Sequence, residues 1–129
     1  MILVDSSYFI ALANRKDRWH VQAVAITPRL EKEDLVTTDL FLSEAVTGVG
    51  SLLGGKAGKA TYDTIVDNCR VEASSPERRA RTITLYLHYD GTLSFADALG
   101  VELTRELGIG HVASFDDDFD RVRGLARLR

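Results

Sequence analysis

The chain predicts an α/β fold in which a short parallel sheet is covered by helices on both faces. Three observations carry this expectation. The apolar runs Ile2–Val4, Leu35–Thr38 and His111–Phe115 are too short for buried helices and read as strands. The longer stretches between them follow a helical period. The length, 129 residues with 45% hydrophobic content, suits a single domain over residues 1–129, with a core large enough to need no disulfide or structural metal.

Ile2–Val4 opens the sheet, and Ser6 or Ser7 is positioned to cap a helix over Tyr8–Asn14. Arg18–Lys32 has a helical pattern, with a break or kink expected at Pro28. Leu35–Thr38 is the second strand. Asp39–Leu53 is a helix stopped by Gly54 and Gly55, and Lys56–Asn68 is the next. Val71–Ala73 reads as a short strand. Pro76–Tyr89 suits a helix because an early proline gives up an N–H that has no helical partner there. Asp90-Gly91 is a turn pair. Ser94–Leu107 is a helix with a broad apolar face of Phe95, Ala98, Leu99, Val101 and Leu103, ended by Gly108. His111–Phe115 closes the set.

Charge and composition exclude several classes. The net charge is −3, so bulk charge does not mark a nucleic-acid binder. Basic residues nevertheless cluster at Arg15, Lys16 and Arg18, at Arg78, Arg79 and Arg81, and at Arg121, Arg123, Arg127 and Arg129. Such clusters are solvated faces unless another signal points to phosphate. The longest uninterrupted apolar run, Tyr8–Ala13, is far too short to span a membrane. The N-terminal run is cut by Asp5 and lacks a basic leader, which makes a poor secretory signal. Cys69 is the only cysteine. A cytoplasmic, reducing location is the expectation.

The acids carry the chemistry. In a parallel sheet the carboxyl ends of the strands gather on one edge, where ligands bind. Asp5 directly follows the first strand and Asp116 directly follows the last. Glu44 lies among Leu40, Phe41, Leu42, Ala45 and Val46, and Asp97 among Phe95, Ala96, Ala98 and Leu99. A carboxylate in an apolar run needs a donor, a cation or a view of solvent. Each has a structural explanation as well. Asp5 suits a helix N-cap. Asp97 is the third helical residue of a capping box begun by Ser94. Glu44 could face solvent. The run Asp116, Asp117, Asp118 and Asp120 could form a loop and the first turn of a short helix. The joint alternative is one metal site. Two carboxylates ~4 Å apart repel by about 4 kcal/mol at an effective dielectric near 20, so several in one pocket call for a cation. Oxygen-only ligands favour Mg²⁺ or Mn²⁺ over Zn²⁺. A calcium loop is a poor match, because Arg121 and Arg127 stand where an EF-hand has Gly and Glu.

The ordered set ILVDSSYFIAL, LSEAV, LSFADALGVELTRELGI and HVASFDDDFDRV resembles small PIN-domain proteins typified by VapC-type toxins, from residue 2 to about residue 122. The resemblance implies a three-layer α/β/α sandwich around a short parallel sheet. It also implies an endoribonuclease that uses Mg²⁺ or Mn²⁺ at a site of acids. Residue by residue, the implied catalytic acids are Asp5, Glu44, Asp97 and Asp116. These four with Asp118 are the implied metal ligands, and Ser6 and Ser114 are auxiliary hydroxyls. Asp117 falls at a variable position, Asp120 at the surface, and His20 in a structural role. The implied partners are an RNA substrate, a VapB-like antitoxin and a second copy of the chain in a homodimer. A PIN nuclease of RNA processing or decay outside a toxin pair, and a catalytically silent PIN-like binding module, are the rival readings. A phosphatase is a further one, although the Asp-x-Asp pair usual after its first strand is missing at Asp5-Ser6-Ser7.

Overall fold

The computed structural model describes residues Met1–Arg129. Five strands, β1 (Ile2–Val4), β2 (Leu35–Thr38), β3 (Cys69–Glu72), β4 (His111–Ala113) and β5 (Ala126–Leu128), form one sheet in the order β3-β2-β1-β4-β5. Every neighbouring pair is parallel. The helices are α1 (Ser6–Ala13), α2 (His20–Leu30), α3 (Asp39–Leu53), α4 (Gly55–Asn68), α5 (Pro76–His88) and α6 (Phe95–Leu107). None is long and apolar enough to cross a membrane.

Strand alternation explains the layering. Leu3 and Val112 point to one face and pack with Phe41, Leu85, Leu93, Val101 and Phe119. Their strand neighbours Ile2, Val4 and Ala113 point to the other face and pack with Tyr8, Phe9, Leu30, Ala45 and Ile65. A strand with period two that is buried on both sides must feed two cores, and the result is the α/β/α sandwich. Gly100 lets α6 come close to the sheet. A Cβ there would lie 2.9 Å from Cε2 of Phe41 and 3.2 Å from Cδ2 of Leu3. That contact sets the height of Asp97, one helical turn earlier.

The chain runs outward from β1 through β2 to β3, then crosses back to β4 and β5. The order therefore reverses between β1 and β4, and a crevice opens beyond the carboxyl ends of these two strands. Leu3 pairs with Val112 and Val4 with Ala113. This register brings the chain after Val4 beside the chain after Ala113, across 109 positions of sequence.

Several local expectations are corrected. The cap of α1 is Asp5, not Ser6 or Ser7, and α1 begins at Ser6. The carboxylate reaches the second N–H of the helix, which a serine inside the helix cannot do. α2 runs through Pro28 without a break, although the proline costs one backbone hydrogen bond; buried Ala23 and Leu30 hold the helix to the core on either side of it. α4 begins at Gly55 rather than Lys56. Gly54, at φ +96 and ψ 168, caps one helix and opens the next in a conformation open only to glycine. β3 spans Cys69–Glu72, not Val71–Ala73. β4 ends at Ala113, two residues before Phe115. The arginine-rich tail, read as a charged surface, contains β5, an edge strand paired with β4.

Candidate metal centre

Asp5 leaves β1 and is buried, 2% exposed. Its Oδ1 accepts the Ser7 backbone N–H at 2.6 Å and the Ser7 hydroxyl at 2.6 Å. Its Oδ2 accepts the Ser114 hydroxyl at 2.5 Å. The cap and the site are thus one geometry: the turn that starts α1 aims the carboxylate along the sheet edge. Burial still pushes the Asp5 carboxyl up to about 6, against the pull of the Ser114 and Ser7 hydrogen bonds, with nearby Asp116 adding to the rise.

Ser7 is a residue that sequence reasoning missed. Its hydroxyl also accepts the Phe115 backbone N–H at 2.9 Å, so it ties the end of β4 to the first acid. Asp5-Ser6-Ser7 signalled the backbone contact alone, since an Asp carboxylate readily accepts the N–H two residues on. Ser114 does the complementary work from the other strand. Its hydroxyl donates to Asp5 and accepts the Asp116 backbone N–H at 2.9 Å.

Asp97 is the third residue of α6, and its backbone N–H donates to the Ser94 hydroxyl at 3.0 Å. Only 8% of the residue is exposed. Desolvation raises its pKa to about 7, the carboxylates of Asp5 and Asp116 add to this, the Ser94 hydroxyl opposes it, and Glu44 adds again. Asp116 is half-buried and caps a 3-10 turn, Asp117–Arg121, by accepting the Asp118 N–H at 2.9 Å. Glu44 opens to solvent from α3 and accepts the Ser6 hydroxyl at 3.2 Å. Partial desolvation raises its pKa, Ser6 lowers it and Asp116 raises it.

One carboxylate oxygen each from Asp97, Asp116 and Asp118 lies within 4.8 Å of the others. Asp5 and Glu44 stand beside this trio rather than within it, near enough to perturb Asp97. Asp118 is also held by Arg121, whose guanidinium donates to it at 3.2 Å and to the Thr92 hydroxyl and carbonyl, each at 2.7 Å. Asp117 and Asp120 are exposed, and Asp120 forms a two-pronged pair with Arg127 at 2.9 and 2.8 Å. His20 lies away from the acids and bonds the Ala11 carbonyl through Nδ1 at 2.8 Å. The set of donors is all hard oxygen and short of positive charge, with Asp97 buried and Asp116 and Asp118 partly exposed, which fits Mg²⁺ or Mn²⁺.

A profile of the PIN domain matches residues 2–125. No curated protein sequence matches the chain. Among solved structures, the chain is similar to the VapC20 toxin of Mycobacterium tuberculosis, described as cleaving the sarcin-ricin loop, with 25% identity, a TM-score of 0.86 and 93% of each chain covered. It also resembles VapBC2 of Rickettsia felis, a structure bound to a promoter DNA fragment, at 13% identity, with a TM-score of 0.74 and coverage of 98% of this chain and 97% of that one. FitAcB of Neisseria gonorrhoeae is similar at 17% identity, with a TM-score of 0.68 and coverage of 100% and 97%. The last two likenesses bear on the fold alone.

Proposed function

The chain belongs to the PIN-domain family, and from this premise we propose that it is a Mg²⁺- or Mn²⁺-dependent endoribonuclease and the toxin of a VapBC-type pair. The observation that carries the reading is the convergence of Asp97, Asp116 and Asp118 at the sheet edge with no cation of the chain among them except Arg121 at the rim. The likeness to a toxin described as cleaving the sarcin-ricin loop supports RNA as the substrate. An RNA substrate, a VapB-like antitoxin and a homodimer belong to the same reading.

Asp97, Asp116 and Asp118 would hold the ion, with Asp5 and Glu44 completing its surroundings. When bound, a divalent cation supplies a water of lowered pKa and offsets charge on the phosphate. The chain's own residues set the rest. Ser7 and Ser114 fix the Asp5 carboxylate by three hydrogen bonds, so its position does not depend on the ion. Burial of Asp97 keeps bulk water away and strengthens attraction to any cation that arrives. Glu44, on the open side, is placed to take a proton released toward solvent.

The purified chain with Mg²⁺ or Mn²⁺ should cleave RNA to 5′-phosphate and 3′-hydroxyl ends. Asp5→Asn, Glu44→Gln, Asp97→Asn and Asp116→Asn should each lose on the order of a hundredfold or more, about 3 kcal/mol of transition-state stabilisation. The reading is abandoned if the parent leaves RNA intact with both ions, or if two of these variants keep parental rates.

A further inference from the structure

We propose that the cavity walled by Arg18, Trp19, Phe115, Arg127 and Arg129 together with the acids Asp116 and Asp117 seats a backbone phosphate of RNA that flanks the phosphate being cut. This rests on the ribonuclease reading above. The cavity has a volume of ≈ 360 Å³. It is built from the connection between α1 and α2, the segment after β4 and the end of β5, so it shares the edge on which the acids converge.

Its walls are preorganised. The Trp19 ring stacks on Phe115 with centroids 5.5 Å apart and planes 5° from parallel. The Arg18 guanidinium lies 4.6 Å from the centroid of the Trp19 ring. The Trp19 backbone N–H donates to the Asp17 carboxylate at 2.8 Å, which pins the loop. Phe115 is itself tied to Ser7 through its N–H, so the aromatic pair is coupled to the strand end that carries Asp116.

The charges differ in availability. The Arg127 side chain is only 5% exposed and is committed to Asp120. Arg18 and Arg129 are exposed and have no carboxylate within 4.0 Å. By contrast, Arg78 and Arg81 on α5 and Arg105 on α6 all face glutamates. An acidic site that must receive a polyanion needs cations close by that the fold has not already neutralised. Guanidinium groups suit phosphate oxygens in both shape and charge. Phe115 covers one face of the Trp19 ring and Arg18 lies over it as well, so the seat takes a phosphate rather than a stacked base, and the ribonuclease reading favours an RNA phosphate over an acidic peptide.

Trp19 is the chain's only tryptophan, so its fluorescence reports this cavity directly. Mixed-sequence single-stranded RNA, titrated in EDTA so that it is not cut, should change the Trp19 emission saturably. Arg18→Gln combined with Arg129→Gln should weaken binding by about tenfold or more. It should also flatten the slope of log affinity against log salt by about 0.7, the share of the one phosphate that loses its seat. Arg81→Gln should change neither. Thermal melts of the double variant establish that it is folded, and a double Arg→Lys variant should recover part of the affinity. Parallel cleavage assays with Mg²⁺ separate the two claims. If the parent cleaves RNA while the Gln double variant keeps parental affinity and slope, the cavity assignment is wrong and the ribonuclease reading stands. If RNA binds through this cavity but is never cut, the reading falls and the phosphate seat stands. If polyglutamate moves the Trp19 signal and RNA does not, the cavity serves an acidic protein segment and the proposal is overturned.

Discussion

Two acid-rich regions of this molecule treat their carboxylates in opposite ways. On the flank formed by β3, α5 and α6, Glu72 pairs with Arg70 and, at 2.7 Å, with Arg78. Glu106 pairs with the same Arg78 at 2.9 Å, and Glu102 lies near Arg81 and Arg105. Glu72 pays some desolvation, yet the two arginines hold its carboxyl below the usual range. At the carboxyl edge of β1 and β4 Asp118 meets Arg121 at 3.2 Å, but no arginine reaches Asp5, Glu44, Asp97 or Asp116 within 4.0 Å. Asp5, Glu44 and Asp97 are all raised there. A charge that the fold answers itself belongs to the structure. A group of charges it leaves unanswered in a desolvated place is waiting for something from outside, and that difference is the physical argument for a cation.

The sharpest way to break the comparison is to add and remove the ion while changing pH. Asp97 titrates near 3.8 when unfolded and at about 7 when folded, and Asp5 near 3.8 and at about 6. Their contribution to stability is therefore fully present below about pH 4 and is lost as pH rises through about 7, a swing on the order of a few kcal/mol. Protons and the cation compete for the same oxygens. The rise in Tm caused by Mn²⁺ should accordingly be several degrees larger at pH 8 than at pH 5, and Asp97→Asn should shrink it at pH 8 while raising the metal-free Tm. Equal Mn²⁺ effects at both pH values would remove the ion from the argument. On the opposite flank, Glu72→Gln should lower Tm and leave the Mn²⁺ effect unchanged.

Next in size is a packing change that affects the site from outside. Gly100→Ala forces the Phe41 ring or the α6 backbone to shift and should cost about 1–3 kcal/mol in denaturant unfolding. Mn²⁺ affinity should fall with it, since α6 carries Asp97. Unchanged stability would mean that the close approach of α6 is not required. The smallest effect is expected within the aspartate run. Asp117→Asn and Asp120→Asn should change RNA cleavage by less than about threefold, because surface charges contribute little once screened. A loss as large as that of Asp116→Asn would transfer the ligand role to a neighbour.

Several residues of the candidate site were legible in the sequence, for definite reasons. Asp5 and Asp116 were readable because each follows a short apolar run that reads as a strand, and parallel strands end together. Asp97 was readable as an acid inside an apolar run, with the Ser94 capping pattern as its structural alternative. The role of Ser7 was hidden because a serine next to a cap has several equivalent uses until its neighbour across the sheet is known. β5 was hidden for a related reason. Ala126–Leu128 is three residues long, lies among arginines and is stabilised by pairing with β4 and by the Arg127–Asp120 contact, neither of which leaves a local pattern. Pro28 misled because the packing of Ala23 and Leu30 against the core holds the helix across the missing N–H, and that packing leaves no local pattern.

By itself the sequence determined the α/β alternation, the Ser94 cap of α6 and which acids stand in or directly after apolar runs, since these follow from short-range sterics, periodicity and solvation. Only the tertiary structure decided which acids meet. Asp97, Asp116 and Asp118 share one small volume, while Asp5 is fastened beside them by Ser7 and Ser114 and Glu44 stays at the open side. That sorting depends on the β1–β4 register and on the depth to which Gly100 lets α6 sink, and both are contacts between residues far apart in the chain.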